Sequence, residues 1–143
     1  MKFTHASLLL LLPCFFLSMT CHKSNTRHCH YQIDFENKSD KSLTVVLSYD
    51  YPDTSINFQS PYIEHDFYGG IAPHQKWYVE NGEMCVESIL LDHSYERVSL
   101  FIFDSEVLRT TPWSEVRKNY KVLTRYDFTL DDLRALGWYV TYE

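Results

Sequence analysis

Arg97-Val98-Ser99-Leu100-Phe101-Ile102-Phe103 is the stretch on which the fold turns. Its side chains are apolar on both alternations: Val98, Leu100 and Ile102 on one, Phe101 and Phe103 on the other. Successive side chains of a strand point to opposite faces, so this run needs cover on both sides. It reads as a central strand buried between two layers.

Working outward from it, the period of two persists. Tyr31, Ile33 and Phe35 alternate with Gln32, Asp34 and Glu36, the pattern of a half-buried strand. Residues 37–41 form a turn. Leu43, Val45, Leu47 and Tyr49 make the next apolar face, with Thr44, Ser48 and Asp50 mostly opposite. Residues 75–80 and 85–91 read as a hairpin around Asn81-Gly82, a strong turn dipeptide. Between them and the second strand, residues 52–75 hold Pro52, Pro61, Gly69-Gly70 and Pro73. A structureless loop of that length is uncommon in a small domain, so it is either functional or hides a short strand.

Downstream the character changes. Thr111 caps a helix with Pro112 at its first position, and Trp113, Val116 and Tyr120 fall on one face at helical spacing. A strand over 121–128 follows. Thr129 caps a second short helix, with Asp131 and Asp132 in its first turn and Gly137 as its stop. Leu130, Leu133 and Leu136 face the core, and Trp138, Val140 and Tyr142 alternate in a last strand. The expected fold class is all-β: a mainly antiparallel β-sandwich of about seven strands, Ig-like or transthyretin-like, with one or two short C-terminal helices.

The start of the chain reads as an address. Lys2 supplies a positive charge, and residues 6–17 form an apolar run broken only by Ser7 and Pro13. That run suits a signal-peptide core and falls short of the ~20 residues of a membrane-spanning helix. Leu17-Ser18-Met19-Thr20-Cys21 follows, the arrangement of a lipoprotein signal in which the Cys21 thiol accepts diacylglycerol before cleavage. Thr20 stands where such signals usually carry Gly, Ala or Ser. The expected organisation is a lipoprotein signal peptide over 1–20, a lipidated tether over 21–29 and a single β-rich domain over 30–143. Polar residues 22–28 lack periodicity and suit a tether. They also lack the acidic run of some surface-export signals. The expected location is therefore the outer membrane of a cell envelope, lipid-anchored and facing the periplasm.

Cleavage before Cys21 leaves 123 residues with 12 basic and 19 acidic side chains, a net charge of −7. That charge repels phosphate backbones, and no basic cluster offsets it, so no nucleic-acid partner is expected. Membrane attachment rests on the lipid. Cys29 and Cys85 remain after the lipid site. In an oxidising compartment two such thiols often pair, here closing a loop of ~55 residues. Cys is also a good small core residue, so two buried free thiols are the equal alternative.

The segment Ile102-Phe103-Asp104, the step Thr111-Pro112-Trp113 and residues 120–142 (YKVLTRYDFTLDDLRALGWYVTY) resemble the closing region of small lipoproteins of unknown function from Bacteroidetes-type bacteria. The Arg125-Tyr126-Asp127 step and the ending at 133–138 carry most of the likeness. The signal region and the first strand are similar too. The resemblance implies an envelope location and a mostly β domain. It implies no activity.

Chemistry is sparse. His28-Cys29-His30 is the densest cluster of metal-ligand types, but no second pair at metal spacing follows. Asp50, Asp53, Ser55 and Asn57 bring four oxygen donors into one loop, without EF-hand spacing and beside the turn residue Pro52. There is no G-x-S-x-G elbow, Cys-His signature, Ser-x-x-Lys motif or Gly-rich phosphate loop. Ser88 and Cys85 fall in an expected strand with no nearby base. A triad assembled from distant residues stays open. No catalytic residue, metal or cofactor is expected.

The compositional excess is aromatic. Phe58, Tyr62, Phe67, Tyr68, Trp77 and Tyr78 crowd one region. Tyr and Trp offer contact area at low entropy cost, so these six are the candidate ligand surface for sugar or peptide. The alternative is that they close one end of the β core. The functional expectation is a non-enzymatic, lipid-anchored envelope protein that binds a protein or glycan partner or supports an envelope assembly. The alternatives are an inhibitor or immunity protein, or a small hydrolase with a dispersed site.

Overall fold

A computed structural model describes residues 29–61, 70–92 and 95–143. The expected signal peptide, Cys21 and most of the tether lie outside the described residues. So do Tyr62, Phe67 and Tyr68.

Val98–Asp104 forms strand β4 (the others in chain order are β1 Gln32–Asn37, β2 Leu43–Ser48, β3 Lys76–Glu80, β5 Thr124–Phe128 and β6 Tyr139–Tyr142). Four short helices accompany them: α1 Val86–Asp92, α2 Ser105–Thr110, α3 Trp113–Lys118 and α4 Leu130–Ala135. The strands make two three-stranded sheets, ordered β3-β1-β6 and β2-β4-β5. β4 runs antiparallel to both neighbours, with Val45 opposite Ile102 and Leu100 opposite Tyr126. β1 is antiparallel to β3, with Ile33 opposite Val79, and parallel to β6, with Phe35 beside Val140.

β4 is covered on both sides, as its double alternation requires. Val98, Leu100 and Ile102 pack with Ile33, Phe35, Val79 and Val140 of the other sheet, and with Val86 and Leu90 of α1 and Leu130 and Leu133 of α4. Phe101 and Phe103 turn the other way. They pack with Ile56, Leu108 of α2 and Val116 of α3. Phe58 meets Phe101 and Trp113 meets Phe103 edge-on, with ring centroids 5.4 and 5.8 Å apart.

The all-β expectation needs correction at the hairpin. Residues 85–91 are not a strand: Val86–Asp92 is helix α1, and β3 pairs with β1 instead. The reason is visible in the residues. Val86, Ile89 and Leu90 stand at i, i+3 and i+4, and all three are buried while Leu91 is exposed. Asn81-Gly82 does turn the chain, with Gly82 at φ +73°, but into a helix. Asn81 donates its N–H to Tyr31 O (2.8 Å) and its side-chain amide to Met84 O (2.7 Å), which carries the chain from β3 to α1.

Helix α2 is a second addition, capped by Asp104, whose carboxylate accepts the Glu106 N–H at 3.0 Å. Pro112 sits one position earlier than expected, at the N-cap of α3. The described residues therefore hold six strands and four helices, one of which precedes β4. Among its described residues, the long loop contributes a single bridge, Ile71 to Leu43. Thr129 and Asp132 form the reciprocal capping box of α4. No helix of the described residues is long and apolar enough to cross a membrane.

Candidate functional site

β3 lies at the edge of its sheet, and that position creates the cleft described here. Trp77 and Val79 share a strand face with Phe35 and Ile33, the face that looks into the core. Val79 is buried, whereas Trp77 is 54% exposed. The two sheets part between β2 and β3, leaving a cleft of about 640 Å³. Leu43, Val45 and Ile71 form one wall, and Trp77, Tyr78 and Glu80 line the opposite side. The Trp77 and Tyr78 rings lie nearly parallel, 8° apart with centroids separated by 5.2 Å. The cleft offers a flat aromatic surface and an apolar wall, with Thr44, Gln75 and Glu80 supplying polar groups. Its volume is that of a small-ligand site. Among the described lining residues there is no cysteine, serine or histidine, and the hydroxyl and carboxyl groups are those of Thr44, Tyr78 and Glu80.

Of the six aromatic candidates, Trp77 and Tyr78 come together here. Phe58 does not join them. It packs in the second core, and its carbonyl accepts the Trp113 indole N–H at 3.3 Å. Tyr62, Phe67 and Tyr68 lie outside the described residues. Sequence reasoning missed Leu43, Val45 and Ile71, because nothing local shows that β2 and the loop residue Ile71 face β3 across a gap.

At the other end of β1, Cys29 and Cys85 are joined in a disulfide, with Cα atoms 5.4 Å apart. Glu87 is buried beside it. Its Oε2 accepts the His30 main-chain N–H at 2.8 Å, and its Oε1 lies 2.5 Å from His30 Nδ1. The His30 ring stacks on Trp138, 3.8 Å between centroids. Cys85 Sγ is 3.1 Å from Glu87 Oε2. Among the described residues, Cys29, Cys85 and Glu87 are the group of potential metal ligands close enough to share an ion, but the two sulfurs are bonded to each other. His28 lies outside the described residues, and His30 serves Glu87.

The oxygen-rich loop is held by its own turn. Asp53 accepts the Ser55 N–H at 2.8 Å and the Asn57 amide at 3.1 Å, and Asp50 accepts the Ser48 hydroxyl at 3.1 Å. The Ser55 N–H foremost, then the Ser55 hydroxyl and the Asn57 amide, hold the Asp53 carboxyl below its ordinary range. Arg125 ties the loop to the sheet. Its guanidinium donates to Asp127 Oδ1 (2.6 Å), Ser99 Oγ (3.1 Å) and Asp53 O (3.0 Å), so the Arg125-Tyr126-Asp127 step is a structural brace. Asp132 belongs to the α4 cap, and Asp131 pairs with Arg134 at 3.1 Å. Among the described residues no buried side-chain nitrogen or oxygen lacks a partner. The interior polar groups are thus consumed by folding.

Comparison of this chain with protein-family models, with curated proteins and with solved structures finds no match.

Proposed function

We propose that this chain is a non-enzymatic binding protein of the cell envelope, lipid-anchored at Cys21 to the outer membrane and facing the periplasm. Its two sheets serve as a β-sandwich frame, and the cleft beside Trp77 and Tyr78 receives a protein or glycan partner. One observation carries the binding half of this reading: a large indole on the core-facing side of β3 remains more than half exposed at the mouth of a cleft of mixed polar and apolar lining. Exposed aromatic area of this kind is costly in water and is characteristic of recognition surfaces. The anchoring half rests on the signal pattern ending at Cys21.

Site-specific photocrosslinking in intact cells tests the binding reading. A benzophenone side chain placed at position 75 of the full chain, on the cleft lining and with Trp77 kept, should yield one discrete adduct, and the same group at Arg117 on α3 should not. Peptidoglycan fragments titrated onto the full chain, read by tryptophan fluorescence, cover the glycan case. No adduct at position 75 together with no fluorescence change overturns the reading. For the anchor, Cys21→Ser should abolish labelling by radioactive fatty acid and release the protein from the membrane fraction. Continued membrane partition of that variant overturns it.

A further inference from the structure

The outer edge of β3 has a defined hydrogen-bonding parity. Asn37 N–H donates to Gln75 O at 2.9 Å, and Asn81 N–H to Tyr31 O at 2.8 Å. Both pairs join odd-numbered residues, and antiparallel ladders alternate. Trp77 and Val79 therefore spend their main-chain groups on β1, while Lys76, Tyr78 and Glu80 direct theirs away from it. Asp34 obeys the same rule, since its N–H crosses to Trp138 O on the far side of β1 at 2.9 Å. Among the described residues no strand hydrogen-bonds to the outer edge of β3, and β2 stands across the cleft from that strand.

We propose that β3 pairs with β3 of a second copy of this chain, antiparallel about a two-fold axis centred on Tyr78. In that register Lys76 stands opposite Glu80 of the second copy, Tyr78 opposite itself, and Trp77 opposite Val79. The residues that meet main chain to main chain are then Lys76, Tyr78 and Glu80, the three whose groups point outward. A one-residue slip would set outward groups against inward ones and form no ladder. A two-residue slip keeps a ladder but sets Lys76 against Tyr78 and loses the charge pairing.

The strand is self-complementary when read in opposite directions. Lys-Trp-Tyr-Val-Glu has its cation at one end and its carboxylate at the other, with an aromatic and a β-branched residue in matching places. Opposite charges and aromatic–β-branched pairs across strands each stabilise pairing. The Lys76 ammonium is exposed and lies 3.9 Å from Glu36 and 5.2 Å from the Tyr139 ring centroid, contacts it must share or exchange when it meets a second carboxylate. The contact is isologous and closed, which satisfies both edges without propagating into fibres. It also sets the two aromatic clefts side by side. The pairing does not depend on the anchor or on a cleft ligand, but it shares Tyr78 and Glu80 with the cleft lining, so a cleft ligand and the second copy compete for this edge.

Sedimentation equilibrium of the full chain in density-matched detergent tests it. Wild type should be a reversible dimer. Lys76→Glu and Glu80→Lys each create two like-charge pairs and should weaken the dimer about tenfold. The double reversal, Lys76→Glu with Glu80→Lys, should restore it to near the wild-type constant. Far-UV circular dichroism of each variant checks that the fold is kept. A wild-type monomer at every concentration overturns the proposal and leaves Lys76 as a charge guarding the edge. A dimer that neither single reversal weakens also overturns it, and assigns association to another surface.

Discussion

Asn37 is fully buried at the end of β1, and its amide is where several segments meet. Its nitrogen donates to Lys41 O, Ile71 O and Ala72 O at 2.6, 2.9 and 3.0 Å, and its oxygen accepts the Ser39 N–H at 3.0 Å. Replacing it with Ala removes the side-chain donor from Lys41 O and one of two donors from Ile71 O and Ala72 O, which also accept the Leu43 and Gln75 N–H groups. Asn37→Ala should therefore lose about 2 kcal/mol in urea unfolding, the cost of stranding buried polar groups. Trp77 is the opposite case. Its exposed ring contributes little packing, so Trp77→Ala should change stability by less than about 0.5 kcal/mol while removing the crosslinking partner and ligand response. From the sequence, Asn37 reads only as the first residue of a turn. Lys41 closes that same turn, but Ile71 and Ala72 come from the long loop, and no local pattern points to them. Trp77 stood among six candidate aromatics. Its exposure depends on how far β2 stands from β3.

At the scale of single elements, β4 makes the clearest test. Leu100 and Phe101 are neighbours in sequence, yet they belong to different cores. Leu100→Ala and Phe101→Ala should each cost about 3–5 kcal/mol, measured by urea unfolding, because each empties a packed site. A strand with one wet face would show only one such loss. The α4 cap is a pH-sensitive element. The Thr129 hydroxyl, with the Thr129 N–H, holds the Asp132 carboxyl below its ordinary 3.8. Its contribution is full above the unfolded carboxyl value and is lost as pH falls through the lower folded value. Asp132→Asn should therefore be less stable than wild type near neutrality, and the gap should close as the pH falls below 3.8. Thr129→Ala should cost about 1 kcal/mol. This cap was legible because Thr129, Asp132 and Gly137 act on residues within one or two turns. From its sequence α1 reads as a strand, because a short apolar run fits both periods and the Asn81-Gly82 turn favours a hairpin.

For the whole molecule, the Cys29–Cys85 disulfide ties the start of β1 to the start of α1 across 56 residues. Its removal enlarges the unfolded ensemble. The double variant Cys29→Ser with Cys85→Ser should lose about 2–4 kcal/mol in urea unfolding. Wild type in reductant should match it, and indifference to both changes would show the bridge to be dispensable. The sequence alone determined which segments seek burial and where several of them end. The double-faced β4, the half-buried β1 and β2, and the Thr129 cap follow from neighbours along the chain. Tertiary structure alone decided which strand lies beside which: β3 and β6 flank β1, one antiparallel and one parallel. It also decided that Cys29 meets Cys85, that Phe58 leaves the aromatic group, and that a cleft opens between β2 and β3. The physical reason is that the hydrophobic effect is non-directional. An apolar alternation states that a face must be buried, but the partner that buries it is chosen by packing and hydrogen bonds between residues far apart in the chain.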